Sequence, residues 1–207
     1  MIVEALQRIL GAKRTLQVDQ HGALLVAQAK PSLYDLVDQG LVYAGQTAVG
    51  GVAPGTAVGT APPITLYNPP NSDVKLVVLK VSMGYISGTL GAGTVLYVGN
   101  FNPVAAVVTG TAISVVNLKL GTKRVDGGNK GQLFTTSTLP ATPTLLRPFM
   151  NLDASLATSV VGPYRVTDEP NGESVLTPNS ALSLQGVAAA GTAPLVAFGF
   201  AWAELPL

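Results

Sequence analysis

The sequence predicts an all-β protein, an antiparallel β-sandwich with a jelly-roll-like arrangement, a short N-terminal helix and an extended arm. Short runs of β-branched and alternating apolar residues follow one another, and frequent turn signals separate them. The 207 residues include 23 Gly and 15 Pro, and helical periodicity is almost absent. We expect residues 1–40 to hold the N-terminal helix, a hairpin and the arm, and residues 41–207 to form the β-sandwich domain.

The composition excludes several classes of protein. Only 11% of the residues are charged and the net charge is +1, so the chain lacks the basic surface of a nucleic-acid-binding protein. With no Cys, it has neither a disulfide framework nor a thiolate zinc site. His21 is the single His and the one candidate base for a Ser-His-Asp triad, but it falls in a proposed turn, which orients a catalytic side chain poorly.

No export or membrane segment is expected. Glu4 and Arg8 interrupt the apolar stretch that a signal peptide requires. The long uncharged stretches are broken by Gly and Pro and do not predict a membrane-spanning helix. So low a charge favours either a surface covered by neighbouring chains or a polar, uncharged β-domain, and both interpretations stay open.

The first forty residues are expected to form a helix followed by a hairpin. A helix is predicted over residues 1–14 because Ile2, Leu6, Ile9 and Leu10 fall on one stripe. Residues 16–26 alternate around an Asp-x-x-Gly turn and predict a β-hairpin. Residues 31–41 are ambiguous, although Leu33, Leu36 and Val37 could line one helical turn.

The segment from Leu41 to Pro63 changes composition to Gly, Ala, Thr, Val and Pro. Gly50-Gly51 and Pro54-Gly55 are turn signals. This segment is either an extended arm or a series of short edge strands. We expect it to be the place where the chain contacts a neighbouring chain.

The strongest strand signal spans residues 73–86. The residues expected on one face are Val77, Leu79, Val81, Met83 and Tyr85. The opposite face is also apolar at its start, with Val74, Leu76 and Val78. A strand that is apolar on both faces is usually central or covered.

Further short strands are expected on both sides of two loops. The predicted strands are 94–98, 104–108, 112–120, 174–176 and 181–184, with Thr109-Gly110 as a connector. Residues 126–131 predict a tight polar loop, and the Thr, Ser and Pro of residues 135–148 predict an exposed excursion.

The last predicted strand, residues 195–204, has one bulky and one small face. Val196, Phe198, Phe200 and Trp202 form the bulky face, which fits a sandwich core. Ala197, Gly199, Ala201 and Ala203 form the small face, which permits another layer or subunit to approach closely.

No motif predicts catalysis. Gly50 to Thr56 has the glycine spacing of a P-loop but lacks its Lys. Asp168, Glu169 and Glu173 could collect a Ca²⁺ ion, but solvated loop charges are the favoured interpretation. We therefore predict a non-enzyme with no catalytic, cofactor-binding or metal-ligating residues.

Four segments resemble virion proteins of tailed bacteriophages, in particular capsid decoration (cement) proteins. They are Leu66–Leu76, Gly84–Gly93, the hairpin Leu16–Val26 and the Phe200–Glu204 ending. The resemblance implies a β-rich structural protein, commonly a homotrimer, that clamps adjoining major capsid subunits at local three-fold positions. It also implies a place on the outer surface of the capsid after synthesis in the host cytoplasm, and no catalytic residues.

This interpretation names a set of candidate interface residues. They are Leu6, Ile9, Leu10, Val49, Val52, Val58, Ala197, Gly199 and Ala201. The expected partners are the major capsid protein and further copies of this chain, without nucleic acid or membrane. The first alternative is a phage tail, baseplate or fibre protein with a host-binding role. The second is a glycan-binding β-sandwich, which usually exposes several aromatic rings.

Overall fold

A computed structural model describes residues 33–101, 108–122, 130–152, 165–170, 172–188 and 191–207, with the backbone of 17–18 and 24–25. Several predictions fall outside the described residues. They are the helix over 1–14, His21, most of the strand over 104–108 and most of the loop over 126–131. The chain divides into two compact units, Met1–Asp35 and Leu36–Leu207. In the first unit, β1 (Gln17–Val18) pairs with β2 (Leu24–Leu25) in antiparallel fashion, which confirms the predicted hairpin for these four residues.

One short helix and twelve strands follow. The helix α1 spans Tyr34–Asp38, within the segment left ambiguous by the sequence. The strands are β3 (Val42–Gln46), β4 (Ile64–Asn68), β5 (Val74–Thr89), β6 (Gly93–Asn100), β7 (Thr109–Ala112), β8 (Val116–Asn117), β9 (Gln132–Thr138), β10 (Thr144–Leu152), β11 (Arg165–Asp168), β12 (Val175–Leu176), β13 (Ser180–Ala188) and β14 (Thr192–Pro206).

These strands form two six-stranded antiparallel sheets, which confirms the predicted all-β sandwich. The first sheet has the order β10-β6-β13-β4-β9-β7. The second has the order β11-β5-β14-β3-β8, and β12 also pairs with β5.

The connectivity is that of a jelly roll, a long hairpin rolled into a sandwich. The pairs β3–β14, β4–β13, β5–β11 and β6–β10 are nested in the sequence, each inside the previous one. Strands β7, β8 and β9 are inserted between β6 and β10. β8 extends the second sheet beyond β3, and β9 and β7 extend the first sheet beyond β4.

The core lies between the sheets, and the bulky face of β14 fills its centre as predicted. Val196, Phe198, Phe200 and Trp202 are all buried, and Trp202 is fully so. The Trp202 ring lies 6.4 Å from the ring of Tyr43 on β3. Burying such large side chains is the main favourable contribution to folding.

The faces of β5 differ from the prediction because the strand contains a β-bulge. Ala201 pairs with Lys80 and Trp202 with Val78, which leaves Leu79 as the extra residue. The bulge reverses the alternation. The core therefore receives Val74, Leu76, Val78, Val81 and Met83, and the prediction that Val77 and Leu79 share a face with Val81 is wrong.

Two other predictions are wrong in the middle of the chain. The expected excursion over residues 135–148 is mostly the strands β9 and β10. The expected connector Thr109-Gly110 begins β7, and the strand expected over 112–120 is divided between β7 and β8. Thr is common in loops but is also β-branched and favours strands, and Pro148 is tolerated because β10 lies at a sheet edge.

Replacing Thr136 with Gly is expected to stabilise the protein by about 0.5–1 kcal/mol. Thr136 is exposed and has φ 51°, a conformation that costs an L-residue about 1–2 kcal/mol. Glycine avoids this cost and loses part of the gain to its greater chain entropy. Urea unfolding followed by the fluorescence of the single Trp measures the change.

Thr138→Gly is the matched control, since Thr138 is exposed on the same strand without a positive φ. It is expected to destabilise by about 0.5–1 kcal/mol. Equal effects of the two substitutions would show that Thr136 is not strained.

Candidate functional site

The described candidate interface residues lie on two segments, the connection after β3 and the strand β14. Leu6, Ile9 and Leu10 lie outside the described residues. Val49 is 86% exposed, whereas Val52 and Val58 are half-buried. Ala197, Gly199 and Ala201 lie half-buried on the outer face of the second sheet, on the side of β14 opposite its bulky residues.

The segment 47–63 crosses from the second sheet to the first and is held by hydrogen bonds at both ends; we call it the strap. Thr47 and Val52 exchange hydrogen bonds with Phe198 and Val196 of β14. At the other end, the side-chain amide of Gln185 accepts from Gly59 N at 2.8 Å and donates to Gly59 O at 2.9 Å. The expected arm is therefore β3 followed by a strap bonded to its own sandwich.

A groove of about 570 Å³ lies on the outer face of the second sheet. Its floor includes Ala44, Gly199 and Ala201, and Val49 and Val116 contribute to its lining. Val116 is 51% exposed. The groove brings together three candidate interface residues, Val49, Gly199 and Ala201, but does not include Val52, Val58 or Ala197.

The groove carries little charge. Lys80 is the one charged residue that lines it, and its Nζ lies 2.8 Å from Oε1 of Glu169. Ser82 faces Gly199, where an added Cβ would lie 2.9 Å from the Ser82 hydroxyl. The glycine therefore keeps the floor low, and a partner would meet a neutral surface.

A cluster of polar side chains lies between β10 and β11, the end strands of the two sheets on the side away from β7 and β8. The Arg147 guanidinium donates to Oδ2 of Asp168 at 2.6 Å, and the Tyr97 hydroxyl donates to the same oxygen at 2.8 Å. Arg147 also lies 3.2 Å from Oε2 of Glu173 and 4.5 Å from the centre of the Tyr97 ring. The Phe149 ring packs edge-on against Tyr97 at 5.5 Å.

Tyr97 holds its proton tightly in this cluster. Burial raises the pKa of Tyr97 far above its usual range, and the hydrogen bond to Asp168 raises it further. The neutral hydroxyl is thus a permanent donor to the carboxylate. This arrangement links the two sheets, because Tyr97 lies on β6 of the first sheet and Asp168 on β11 of the second.

The three carboxylates considered as a calcium site are occupied by cations of the chain itself. Asp168 and Glu173 contact Arg147, and Glu169 contacts Lys80. Within the described ranges, no three Asp, Glu, His or Cys side chains are grouped so that they could hold a metal ion.

Searches of protein-family models, curated proteins and solved structures find no match to this chain. No described helix has the length and apolar character needed to cross a membrane.

The small face of β14 is visible in the sequence, whereas the polar cluster is not. Tyr97, Arg147 and Asp168 come from three strands that the fold brings together. Each residue alone looks like an ordinary strand or loop residue. The one sequence signal for the cluster is Arg147, which lies among apolar residues of β10. A charged residue in such a position usually has a specific partner.

Tyr97→Phe is expected to reduce the loss of stability at alkaline pH. The folded protein keeps the Tyr97 proton above pH 10.0, the ordinary pKa, whereas the unfolded chain loses it. The raised pKa of Tyr97 therefore adds to the free energy of unfolding. This added stability is complete below pH 10.0 and decreases by about 1.4 kcal/mol for each pH unit above it. Urea unfolding followed by circular dichroism on either side of that pH measures the slope.

The slope is the readout because Tyr97→Phe removes a hydrogen bond at every pH. If the wild type and the variant lose stability equally steeply with rising pH, the proposed protonation of Tyr97 is wrong.

Proposed function

We propose that this chain is a non-enzymatic structural protein of a tailed-phage particle, a decoration (cement) protein that bridges major capsid subunits on the outside of the head. The resemblance of Leu66–Leu76 and Gly84–Gly93 to phage virion proteins supports this proposal. The two segments lie at β4–β5 and β5–β6.

The groove on the outer face of the second sheet, whose one charged lining residue is the paired Lys80, is the observation that carries the proposal. A protein that binds another protein through apolar area benefits from a surface with few charges, because each unpaired charge buried at the interface costs free energy. Here the small floor residues permit close approach. Val49 and Val116 offer exposed apolar area beside them.

The mechanism is the addition of buried area across capsomer boundaries. A standard interface buries about 1,600 Å², and each Å² of apolar surface contributes about 25 cal/mol. Association costs of about 4–15 kcal/mol oppose this gain. The net binding free energy that remains is gained at every boundary between capsomers. Many modest contacts together therefore strengthen the shell against internal pressure.

A glycan-binding function receives less support from the described residues. Such sites usually stack sugars on exposed aromatic rings, and the single Trp is fully buried in the core. Among the described aromatic residues, Tyr34 and Phe101 are the exposed ones, at 45% and 61%.

Quantitative mass spectrometry of purified particles tests the proposed function. A ratio of this chain to the major capsid protein near one, or near one-third, would support a lattice-covering decoration protein. A few copies per particle would instead place it in the tail, baseplate or a fibre. Absence from the particles would overturn the proposal and favour the glycan-binding alternative.

Val49→Asp is expected to weaken binding to undecorated particles at least about tenfold, because the interface would bury an unpaired carboxylate. The high exposure of Val49 leaves the folded domain unaffected. Binding is measured by co-sedimentation with particles that lack this protein.

Leu145→Asp is the matched comparison, since Leu145 is 60% exposed on β10 at the opposite edge. It is expected to bind like the wild type. Loss of binding with Leu145→Asp but not with Val49→Asp would move the contact from the groove to the β10 edge.

A further inference from the structure

Two adjacent acidic residues at the end of β11 make contacts on opposite sides of the second sheet. The carboxylate of Asp168 accepts hydrogen bonds from Tyr97 and Arg147 of the first sheet, on the core side. The carboxylate of Glu169 contacts Lys80, which lines the groove on the outer side. One short segment therefore connects the polar cluster to the groove.

β11 itself is weakly attached to the sandwich. It ends the second sheet, and among the described strands it pairs with β5 alone, over the four residues Arg165 to Asp168. Arg165 and Thr167 are exposed, and Val166 is only partly buried against the core. Segments with few buried apolar contacts open locally at a small cost in free energy. The bonds from Asp168 to the first sheet therefore contribute much of what holds this end of β11.

The contact between the sheets depends on one atom, Oδ2 of Asp168. It accepts from Arg147 at 2.6 Å and from the Tyr97 hydroxyl at 2.8 Å. The two donors lie opposite each other in the register of β10 and β6, so they come from paired strands. Hydrogen bonds to an ionised acceptor are roughly twice as strong as neutral ones. The side chains of Asp168 and Arg147 are 29% and 34% exposed, whereas those of Glu169 and Lys80 are 55% and 44% exposed. The cluster is thus the better shielded of the two contacts, and the groove pair depends on it.

We propose that Asp168 is a positioning residue for the groove: by holding β11 against the first sheet, it keeps Glu169 on Lys80 and leaves the groove without an unpaired charge. When the cluster releases β11, Lys80 stays on β5 while its partner moves away. An apolar partner would then cover an unpaired ammonium group, which costs free energy. This consequence for a partner rests on the proposed function, whereas the coupling of the cluster to the groove is a property of the free chain.

Carbodiimide cross-linking of the folded full chain, read by peptide mass spectrometry, tests the coupling. The reagent joins an amine to a carboxylate only when the two are in contact, so the yield of the Lys80–Glu169 link reports the position of β11. Asp168→Ala is expected to lower this yield at least about twofold, because a strand end with few buried contacts opens at a free energy near zero. Hydrogen exchange in the peptide that contains β11 is expected to become at least about tenfold faster, since the bonds lost are to a charged group.

Arg147→Met is the second variant, because it acts from the first sheet and changes no residue of β11. Its long side chain keeps the packing over Tyr97 but loses the charge, and the same loss of the Lys80–Glu169 link is expected. Circular dichroism confirms that each variant is folded.

Asp73→Ala is the matched control, since it removes a carboxylate from another ion pair, that with Lys130. It is expected to leave the Lys80–Glu169 link at the wild-type yield. The link between Lys119 and Asp38, which are also in contact, is the internal standard in every variant.

A wild-type yield of the Lys80–Glu169 link in both Asp168→Ala and Arg147→Met overturns the inference. An equal loss of the Lys119–Asp38 link also overturns it, because the cluster would then stabilise the whole domain rather than position β11. Both measurements use the free chain, so their outcome is independent of the copy number in particles that tests the proposed function.

Discussion

The pairing of β5 with β14 is the contact on which the rest of the sandwich depends. It runs from Thr89 opposite Thr192 to Val74 opposite Pro206, so it is nearly as long as the strands themselves. β3 attaches to β14, whereas β11 and β12 attach to β5. Because the pairing joins segments far apart in sequence, the second sheet forms only after a large loop is closed, which makes slow folding the expected behaviour.

The same pairing determines both surfaces of the second sheet. Period-two alternation places Phe198 and Trp202 in the core, and therefore Gly199 and Ala201 on the outside. The bulge at Leu79 lets the apolar residues on both sides of it face the core. Without the extra residue, one half of β5 would turn its apolar residues outward. The low floor of the groove follows from filling the core with large side chains.

Local alternation allowed β14, the extent of β5 and the hairpin to be predicted, because each pattern lies within one strand or turn. The bulge was not predictable, since a two-faced apolar strand and a bulged one have the same composition. Most of β9 was assigned to loop because its Thr residues occur in both loops and strands, and the start of β10 was assigned to loop because of the Pro residues in and before it. Of the candidate site, the small face was visible in the sequence, while the contact of Tyr97 with Asp168 spans 71 residues and depends on the completed fold.

Most of the charged residues that the structure describes pair with one another. The salt bridges among the described residues join Lys80 to Glu169, Lys119 to Asp38, Lys130 to Asp73 and Arg147 to Asp168 and Glu173. Exposed pairs of this kind contribute only about 0–1 kcal/mol each to stability. Their larger effect is on the surface that remains, because the groove, with its one Lys paired, leaves no unpaired charge that would oppose its burial.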